Sequence, residues 1–181
     1  MNAPAIRLTS ENVEEASIWR FNCGPGALCA VLGKTPAELR PDLLEFEAKG
    51  YTNPTLMLGI LKRLGVEHTV TYRGNARARR PFPRFGLVRL QWSGPWTLPG
   101  VPMRVRYRHS HWIAARDGGP GEPRRLVFDV NTPHLAWVTR ERWEDDLVPW
   151  LLKRCEPKGD GGWWPTHSIE IGTAKGEGVT L

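Results

Sequence analysis

Three residues of this chain have the types and the order of a thiol-based catalytic site. Cys23 stands directly before a Gly-Pro-Gly turn and opens an apolar stretch with helical spacing. The first turn of a helix has backbone N–H groups without partners in the helix, and the positive end of the helix dipole lies there. Both features favour thiolate over thiol. Cys23 is therefore the candidate nucleophile, and His111 and Asp129 follow it as candidate base and orienting acid.

A predicted β-hairpin places the histidine beside the aspartate. The predicted strands His111–Arg116 and Arg125–Val130 are joined by a loop rich in glycine and proline. If the hairpin is symmetric about Pro120, His111 lies directly opposite Asp129. Directly opposed residues have Cβ atoms roughly 4.5–5.5 Å apart on one face of the sheet. Asp129 would then fix the orientation of the imidazole.

The same symmetric register puts Arg116 opposite Arg124. A bulge in the loop would make the pairing of the histidine and the aspartate diagonal instead of direct. His109, two residues before His111, shares its face because strand side chains alternate. His109 is therefore the competing candidate for the base.

The pattern of the whole chain favours helices first and strands afterwards, which predicts an α+β fold. Asn22 is a predicted N-cap for a helix over Cys23–Leu32, and Gly33 is its predicted end. Further helices are predicted after Thr35, where a capping box precedes an interruption at Pro41, over 43–48, and from Pro54 to Leu64. Strands are predicted over 66–72, 86–92, 104–107, 111–116, 125–130 and 168–171.

Three short motifs resemble those of the papain-like cysteine peptidase superfamily: Asn-Cys-Gly-Pro at 22–25, His-Trp-Ile-Ala at 111–114 and Phe-Asp-Val-Asn at 128–131. The pattern is most similar to the peptidases that cut double-glycine leaders from bacteriocin precursors, over roughly residues 15–132. The resemblance implies N-terminal helices that carry the cysteine, packed on an antiparallel sheet that carries the histidine and aspartate. It implies a Cys-His-Asp triad of Cys23, His111 and Asp129.

The resemblance also raises the question of the oxyanion hole. The family has a glutamine about six residues before the cysteine, whereas this chain has Ser17 there, and its only glutamine is Gln91. The backbone N–H of Cys23 would supply one donor, and Ser17, Asn22 or Gln91 is the candidate for the second. Losing one such donor typically costs on the order of 100- to 1000-fold in rate.

The activity implied by the resemblance is hydrolysis of a peptide or amide bond in a peptide or protein substrate, without a cofactor or metal. The same triad also serves transglutaminases, deamidases and other acyl transferases, and the residues do not separate these reactions. The alternative from another class is a non-catalytic papain-like binding or structural module, for example one associated with a virus or particle.

Length and composition predict a single globular domain over residues 1–181. No run of 18 apolar residues is present, so no membrane span is expected, and the first residues lack a signal-peptide pattern. Cys23, Cys29 and Cys155 cannot all pair within one chain, and their spacing is not that of a zinc site. A cytoplasmic protein with at least one free thiol is expected.

The chain is basic, with a formal net charge of +6 and 19 arginines against 6 lysines. Six of the arginines lie between Arg73 and Arg89. Such a stretch is compatible with nucleic acid or with an acidic protein partner. No zinc-finger spacing, aromatic RNA-binding signature or helix-turn-helix pattern accompanies it. We therefore expect a solvated basic loop that is able to meet an acidic partner, and no nucleic-acid binding.

Overall fold

The computed structural model describes residues 23–74, 82–133, 135–154 and 158–172, which form an α+β fold. The helices are α1 (Cys23–Leu32), α2 (Pro36–Leu39), α3 (Leu44–Lys49), α4 (Pro54–Arg63), α5 (Met103–Arg106), α6 (Arg140–Arg142) and α7 (Val148–Leu152). Short 3-10 helices cover Arg40–Asp42, Pro95–Thr97 and Tyr107–His109, and a π-helical turn covers Trp143–Leu147. The strands are β1 (His68–Arg73), β2 (Phe85–Trp92), β3 (Ser110–Asp117), β4 (Arg125–Phe128), β5 (Val138–Thr139) and β6 (Trp163–Ile171).

The six strands found in the described residues form one sheet in the order β1-β6-β2-β3-β4-β5, and every neighbouring pair is antiparallel. Strand β2 lies in the interior of the sheet, between β6 and β3, and is buried from Gly86 to Trp92. Successive side chains of a strand point to opposite faces. The sheet therefore contributes side chains to a hydrophobic core on each of its two faces.

Helices α1 to α4 cover one face of the sheet. Eight of the ten residues of α1, from Gly24 to Val31, are buried, as expected of a helix that is apolar on all sides. The core on this side includes Leu28, Phe46, Met57 and Ile60 from the helices and Leu87, Trp112, Ala114, Phe128 and Ile169 from the strands.

Two glycines allow α1 to lie very close to its neighbours. A Cβ atom at Gly26 would lie 2.6 Å from the Cβ of Val130, and one at Gly24 would overlap the side chain of Thr52. Contacts this short leave no room for a side chain, so only glycine fits. Because these glycines follow Cys23 within three residues, the packing determines where the start of the helix lies.

The opposite face of the sheet is covered by the C-terminal helical segment from α6 to α7. The core on this side includes Val88, Leu90, Ile113, Ala115 and Val127 from the strands and Trp143, Leu147 and Val148 from the helical segment. Within the part of the chain that the structure describes, no helix has the length and hydrophobicity required to cross a bilayer.

The predicted N-terminal helices are confirmed. Helix α1 has the predicted bounds, and Gly33 follows it with a φ of 61°. The capping box at Thr35 is present, and a 3-10 turn replaces the helix at Pro41. These features depend on local backbone signals, which explains why the sequence predicts them well.

The strand predicted over 104–107 is wrong. The segment instead forms α5 and the 3-10 turn that follows it. The side-chain amide of Gln91 donates to the carbonyl oxygens of Arg106 and His109, each at 2.9 Å. These carbonyl groups are thus satisfied by a side chain from another strand, and the segment needs no strand partner.

The predicted pairing of Arg116 with Arg124 is also wrong. Arg116 pairs with Leu126, so the register of the β3–β4 hairpin is shifted by two residues. The centre of the turn moves from Pro120 to Gly121, which has a φ of 81°. Glycine adopts this conformation without the strain that a larger residue would suffer.

A shift of two residues leaves the face of each side chain unchanged, because strand side chains alternate with a period of two. His111 and Asp129 therefore remain on the same face, as diagonal neighbours and not as directly opposed residues. Their functional groups still meet, with His111 Nε2 2.9 Å from Asp129 Oδ1.

Substituting Gly26 with alanine is expected to lower the free energy of unfolding by about 1–3 kcal/mol, because the new methyl group overlaps Val130. Urea unfolding measures the change. The matched control is Gly59→Ala, since a Cβ at Gly59 in α4 has its nearest neighbour at 3.9 Å. The control is expected to be neutral or to stabilise by up to about 1 kcal/mol. Equal effects of the two substitutions would contradict the close packing of α1.

Candidate active site

The start of α1, the start of β3 and the end of β4 meet at one end of the sheet. In an antiparallel hairpin the beginning of one strand lies beside the end of the other. His111 is the second residue of β3, and Asp129 directly follows β4. Cys23, the first residue of α1, approaches this end from the helical layer and interacts with His111. Three elements thus bring the three predicted triad residues together.

Cys23 is a partly exposed free cysteine with two polar neighbours. Its thiol is hydrogen-bonded to the side chain of His111 and to the backbone of Trp112. Burial raises the pKa of the Cys23 thiol, but the hydrogen bond and charge of His111 and the backbone hydrogen bond of Trp112 outweigh it, so the pKa is lowered. The site therefore favours the thiolate.

His111 is buried, and both of its ring nitrogens are engaged. Because Nε2 lies 2.9 Å from Asp129 Oδ1, Nδ1 is the nitrogen that faces Cys23. The ring also stacks on Trp92, with centroids 5.5 Å apart and an interplanar angle of 28°. Burial lowers the pKa of His111, but the charge and hydrogen bond of Asp129, together with Cys23, raise it well above its ordinary value. The imidazolium is therefore favoured.

The carboxylate of Asp129 is 2% exposed and accepts three hydrogen bonds. Oδ1 accepts from His111 Nε2 and from the backbone N–H of Asn131 at 3.0 Å, and Oδ2 accepts from Trp143 Nε1 at 3.0 Å. Burial raises the pKa of Asp129, but the charge of His111 and the three hydrogen bonds lower it overall. Asp129 is thus held as the ionised form that can orient the imidazole and stabilise its charge.

Trp143 and Trp92 belong to this site, although the sequence does not indicate it. Trp143 is fully buried and donates to Asp129 from the π-helical turn on the opposite side of the sheet from α1. A buried indole N–H usually has a hydrogen-bond partner, which is the only signal the sequence contains. The identity of that partner depends on how the C-terminal segment folds back over the sheet.

Of the three oxyanion candidates, the structure describes only Gln91. Ser17 and Asn22 lie outside the described residues. Gln91 is buried, and the two hydrogens of its amide nitrogen are shared among the carbonyl oxygens of Trp92, Arg106 and His109, which lie 2.9–3.1 Å away. The amide of Gln91 is thus engaged in holding the turn before β3 and has no hydrogen left for an oxyanion.

His109, the competing base, faces a different neighbour. Its ring stacks on Trp96 with centroids 3.7 Å apart. Burial, with a smaller effect of the Arg108 charge, lowers the pKa of His109. His111 is therefore the histidine that the structure brings to Cys23.

The other two cysteines and the arginine-rich stretch contribute no side chain to the triad. Cys29 is fully buried within α1, and Cys155 is outside the described residues. Among the residues with described positions, no group of three or more His, Cys, Asp or Glu side chains is arranged to hold a metal ion. In the basic stretch, Arg73 and Arg84 are exposed but Arg89 is buried, so Arg89 cannot form part of a basic surface.

Comparisons of the chain with protein-family models, with curated proteins and with solved structures find no match. The chemistry of the site must therefore be inferred from its own residues and their geometry.

Replacing Trp143 with phenylalanine is expected to destabilise the protein, because a buried carboxylate oxygen loses its donor. The matched control is Trp137→Phe, since Trp137 Nε1 is buried without a hydrogen-bond partner. A hydrogen bond to a charged group contributes about 1.5–3 kcal/mol. Urea unfolding should show Trp143→Phe to be less stable than the control by about that amount. An equal loss in both variants would mean that the bond to Asp129 contributes little.

Alkylation of Cys23 by iodoacetamide is expected to begin below the pH at which an ordinary cysteine ionises, because the pKa of its thiol is lowered. The reactive thiolate–imidazolium pair forms as pH rises through the lowered pKa of Cys23 and is lost above the raised pKa of His111. His111→Gln should shift the reaction to the range of an ordinary thiol. Mass spectrometry of the Cys23 peptide as a function of pH measures both profiles.

The control for this experiment is His109→Gln, which is expected to leave the pH profile of alkylation unchanged because His109 stacks on Trp96. Two outcomes would contradict the arrangement. One is an unaltered chain whose Cys23 reacts only in the range of an ordinary thiol. The other is the same shift for both histidine variants.

Proposed function

We propose that this chain is a papain-like thiol hydrolase that cleaves a peptide or amide bond through a covalent acyl-enzyme. In this proposal Cys23 is the nucleophile, His111 transfers the proton, and Asp129 orients and stabilises the imidazolium. The observation that carries the proposal is the continuous hydrogen-bonded series from Cys23 through His111 to Asp129. The substrate is a peptide or protein, and the cytoplasmic location stays a prediction.

Two further features support this role. The pKa of Cys23 is lowered while that of His111 is raised, and both shifts are in the direction that favours a thiolate–imidazolium pair; strongly perturbed pKa values are typical of catalytic sites. Cys23 is also partly exposed, whereas Cys29 in the same helix is fully buried. Of these two cysteines, Cys23 is therefore the better placed to meet a substrate.

The proposed reaction has two steps. The Cys23 thiolate forms a C–S bond to the substrate carbonyl carbon, and the proton of His111 Nδ1 moves to the leaving amine as the C–N bond breaks. A water molecule then attacks the thioester and gives its proton to His111, the C–S bond breaks, and the thiolate is restored with the carboxylic acid product. Asp129 stays ionised throughout.

The oxyanion of each tetrahedral intermediate needs hydrogen-bond donors about 2.7–3.1 Å away. The backbone N–H of Cys23, at the start of α1, is suited to be one donor. We assign the second to the segment before the helix, with Ser17 and Asn22 as its candidates. Gln91 is not proposed for this role because its amide is bonded to three carbonyl oxygens.

The test is a peptide library incubated with the purified chain, with new termini identified by mass spectrometry. We expect cleavage by the unaltered chain, none by Cys23→Ala, and a thioester adduct at Cys23 when the reaction is stopped with acid. Of Ser17→Ala and Asn22→Ala, the one that removes the true donor should slow turnover on the order of 100- to 1000-fold while leaving alkylation of Cys23 unchanged.

Other products would redirect the proposal. Transfer of the acyl group to an added amine would indicate a transglutaminase-type enzyme, and ammonia release without chain cleavage would indicate a deamidase. A Cys23 that is alkylated at low pH yet forms no acyl-enzyme with any library peptide would contradict catalysis. That result would favour a non-catalytic papain-like binding module.

A further inference from the structure

Arg89 is a buried charged residue on an interior strand of the sheet. It lies on β2, faces the helical layer together with Leu87, and is 2% exposed. Its Nη1 donates to Thr166 Oγ1 at 3.1 Å and its Nη2 to Ser110 Oγ at 2.8 Å. Both partners are neutral hydroxyl groups, so the hydrogen bonds leave the charge of the guanidinium uncompensated.

No carboxylate among the residues that the structure describes forms an ion pair with Arg89. Its Nε is buried without a hydrogen-bond partner, and the ring of Tyr107 lies 5.1 Å from the guanidinium carbon. Burying an unpaired charge is costly. Burial lowers the pKa of Arg89 to about 10, so the side chain is still protonated at neutral pH. We therefore asked which nearby group the buried positive charge of Arg89 could stabilise.

The strand register brings Arg89 close to the nucleophile. Arg89 pairs directly with Trp112 of β3, and the backbone of Trp112 is hydrogen-bonded to the thiol of Cys23. Directly opposed residues in an antiparallel pair have Cα atoms about 4.5–5.5 Å apart. One strand spacing therefore separates the backbone of Arg89 from the residue that contacts the sulfur. The charges of Arg89 and Cys23 also interact favourably.

We propose that Arg89 is a positioning residue whose buried, uncompensated positive charge stabilises the thiolate of Cys23. The inference rests on the proposed function, because it assigns a second cation to the same nucleophile. His111 supplies the hydrogen bond and the proton for the leaving amine. Arg89 supplies a fixed charge that never leaves the site, including after His111 has given up its proton.

The other charged and titratable groups near Arg89 do not cancel this charge. His167, which pairs with Arg89 on β6, has its pKa lowered to about 4 by burial and by the charges of Arg89 and Arg73, so it is neutral at pH 7. Tyr107 is exposed and covers the guanidinium with its ring. Asp129 is paired with His111 on the opposite face of the sheet and forms no ion pair with the guanidinium, although its charge raises the pKa of the Cys23 thiol and so acts on the thiolate in the opposite sense to Arg89.

The experiment measures two limbs in Arg89→Met and Arg89→Lys: the pH at which Cys23 becomes reactive towards iodoacetamide, and the pH at which the His111 ring loses its proton, followed by NMR. Loss of the positive charge makes the Cys23 thiolate less favourable and the His111 imidazolium more favourable, so both limbs should move to higher pH. By Coulomb's law, a unit charge about 12 Å away in a medium of effective dielectric constant about 20 shifts a pKa by about one unit. Arg89→Lys keeps the charge and should leave both limbs near their original positions.

The matched control is Arg125→Met, an arginine of the same sheet that forms an ion pair with Asp117 at 2.8 Å. It should leave both limbs unchanged. If Arg89→Met does not fold, Thr166→Asp neutralises the guanidinium through its own hydrogen-bond partner. Thr166→Asp is then compared with the uncharged Thr166→Asn, and only the aspartate should move the limbs upward.

The outcomes separate this inference from the proposed function. Upward movement of both limbs in Arg89→Met or Thr166→Asp, without movement in the controls, supports a charge effect on the thiolate. A folded Arg89→Met or Thr166→Asp with unchanged limbs overturns the inference and leaves the Cys-His-Asp proposal intact. If Cys23 of the unaltered chain is not alkylated below the pH range of an ordinary thiol, the result overturns both the inference about Arg89 and the Cys-His-Asp proposal.

Discussion

The buried carboxylate of Asp129 is the group on which the arrangement of the site depends. It accepts hydrogen bonds from the beginning of β3, from the turn after β4 and from the C-terminal helical segment. An ionised carboxylate is stable in the interior only when its oxygens are hydrogen-bonded and a cation lies nearby. The same bonds that make this charge tolerable therefore connect His111 to the end of the sheet and Trp143 to the site.

The nucleophile reaches this carboxylate network from the other side of the sheet. Helix α1 packs on the face that carries Trp112, whereas His111 points to the face covered by the C-terminal segment. The two can meet only at the end of the strands, where Cys23 begins the helix. Close contacts at Gly24 and Gly26 bring the helix to this position. The location of the site at the junction of three layers follows from this geometry.

Several buried charged and polar side chains are concentrated at this end of the sheet. Arg89, Gln91, His111 and Asp129 are all buried there. Gln91 holds the turn that leads into β3, and Asp129 holds the ring of His111. Such groups cost stability compared with apolar side chains of the same volume. Their concentration around one partly exposed thiol is what distinguishes this site from a buried cysteine in a hydrophobic core.

The amino-acid sequence by itself was sufficient for the features that depend on local geometry. The bounds of α1 follow from an apolar run and a terminal glycine, and the capping box at Thr35 from its own four residues. The shared face of His111 and Asp129 could also be predicted, although the hairpin register could not. Alternation with a period of two preserves the face when the pairing shifts by two residues.

Only the tertiary structure decided which distant groups complete the site. The bond from Trp143 to Asp129 requires the C-terminal segment to fold over the sheet, and the helical turns before β3 present two carbonyl oxygens to the amide of Gln91 on β2. Arg89 has the sequence context of a basic surface, yet it lies in an interior strand. Periodicity and capping report on neighbours within a few residues along the chain. Burial and hydrogen-bond partners at long range are set by how whole layers pack.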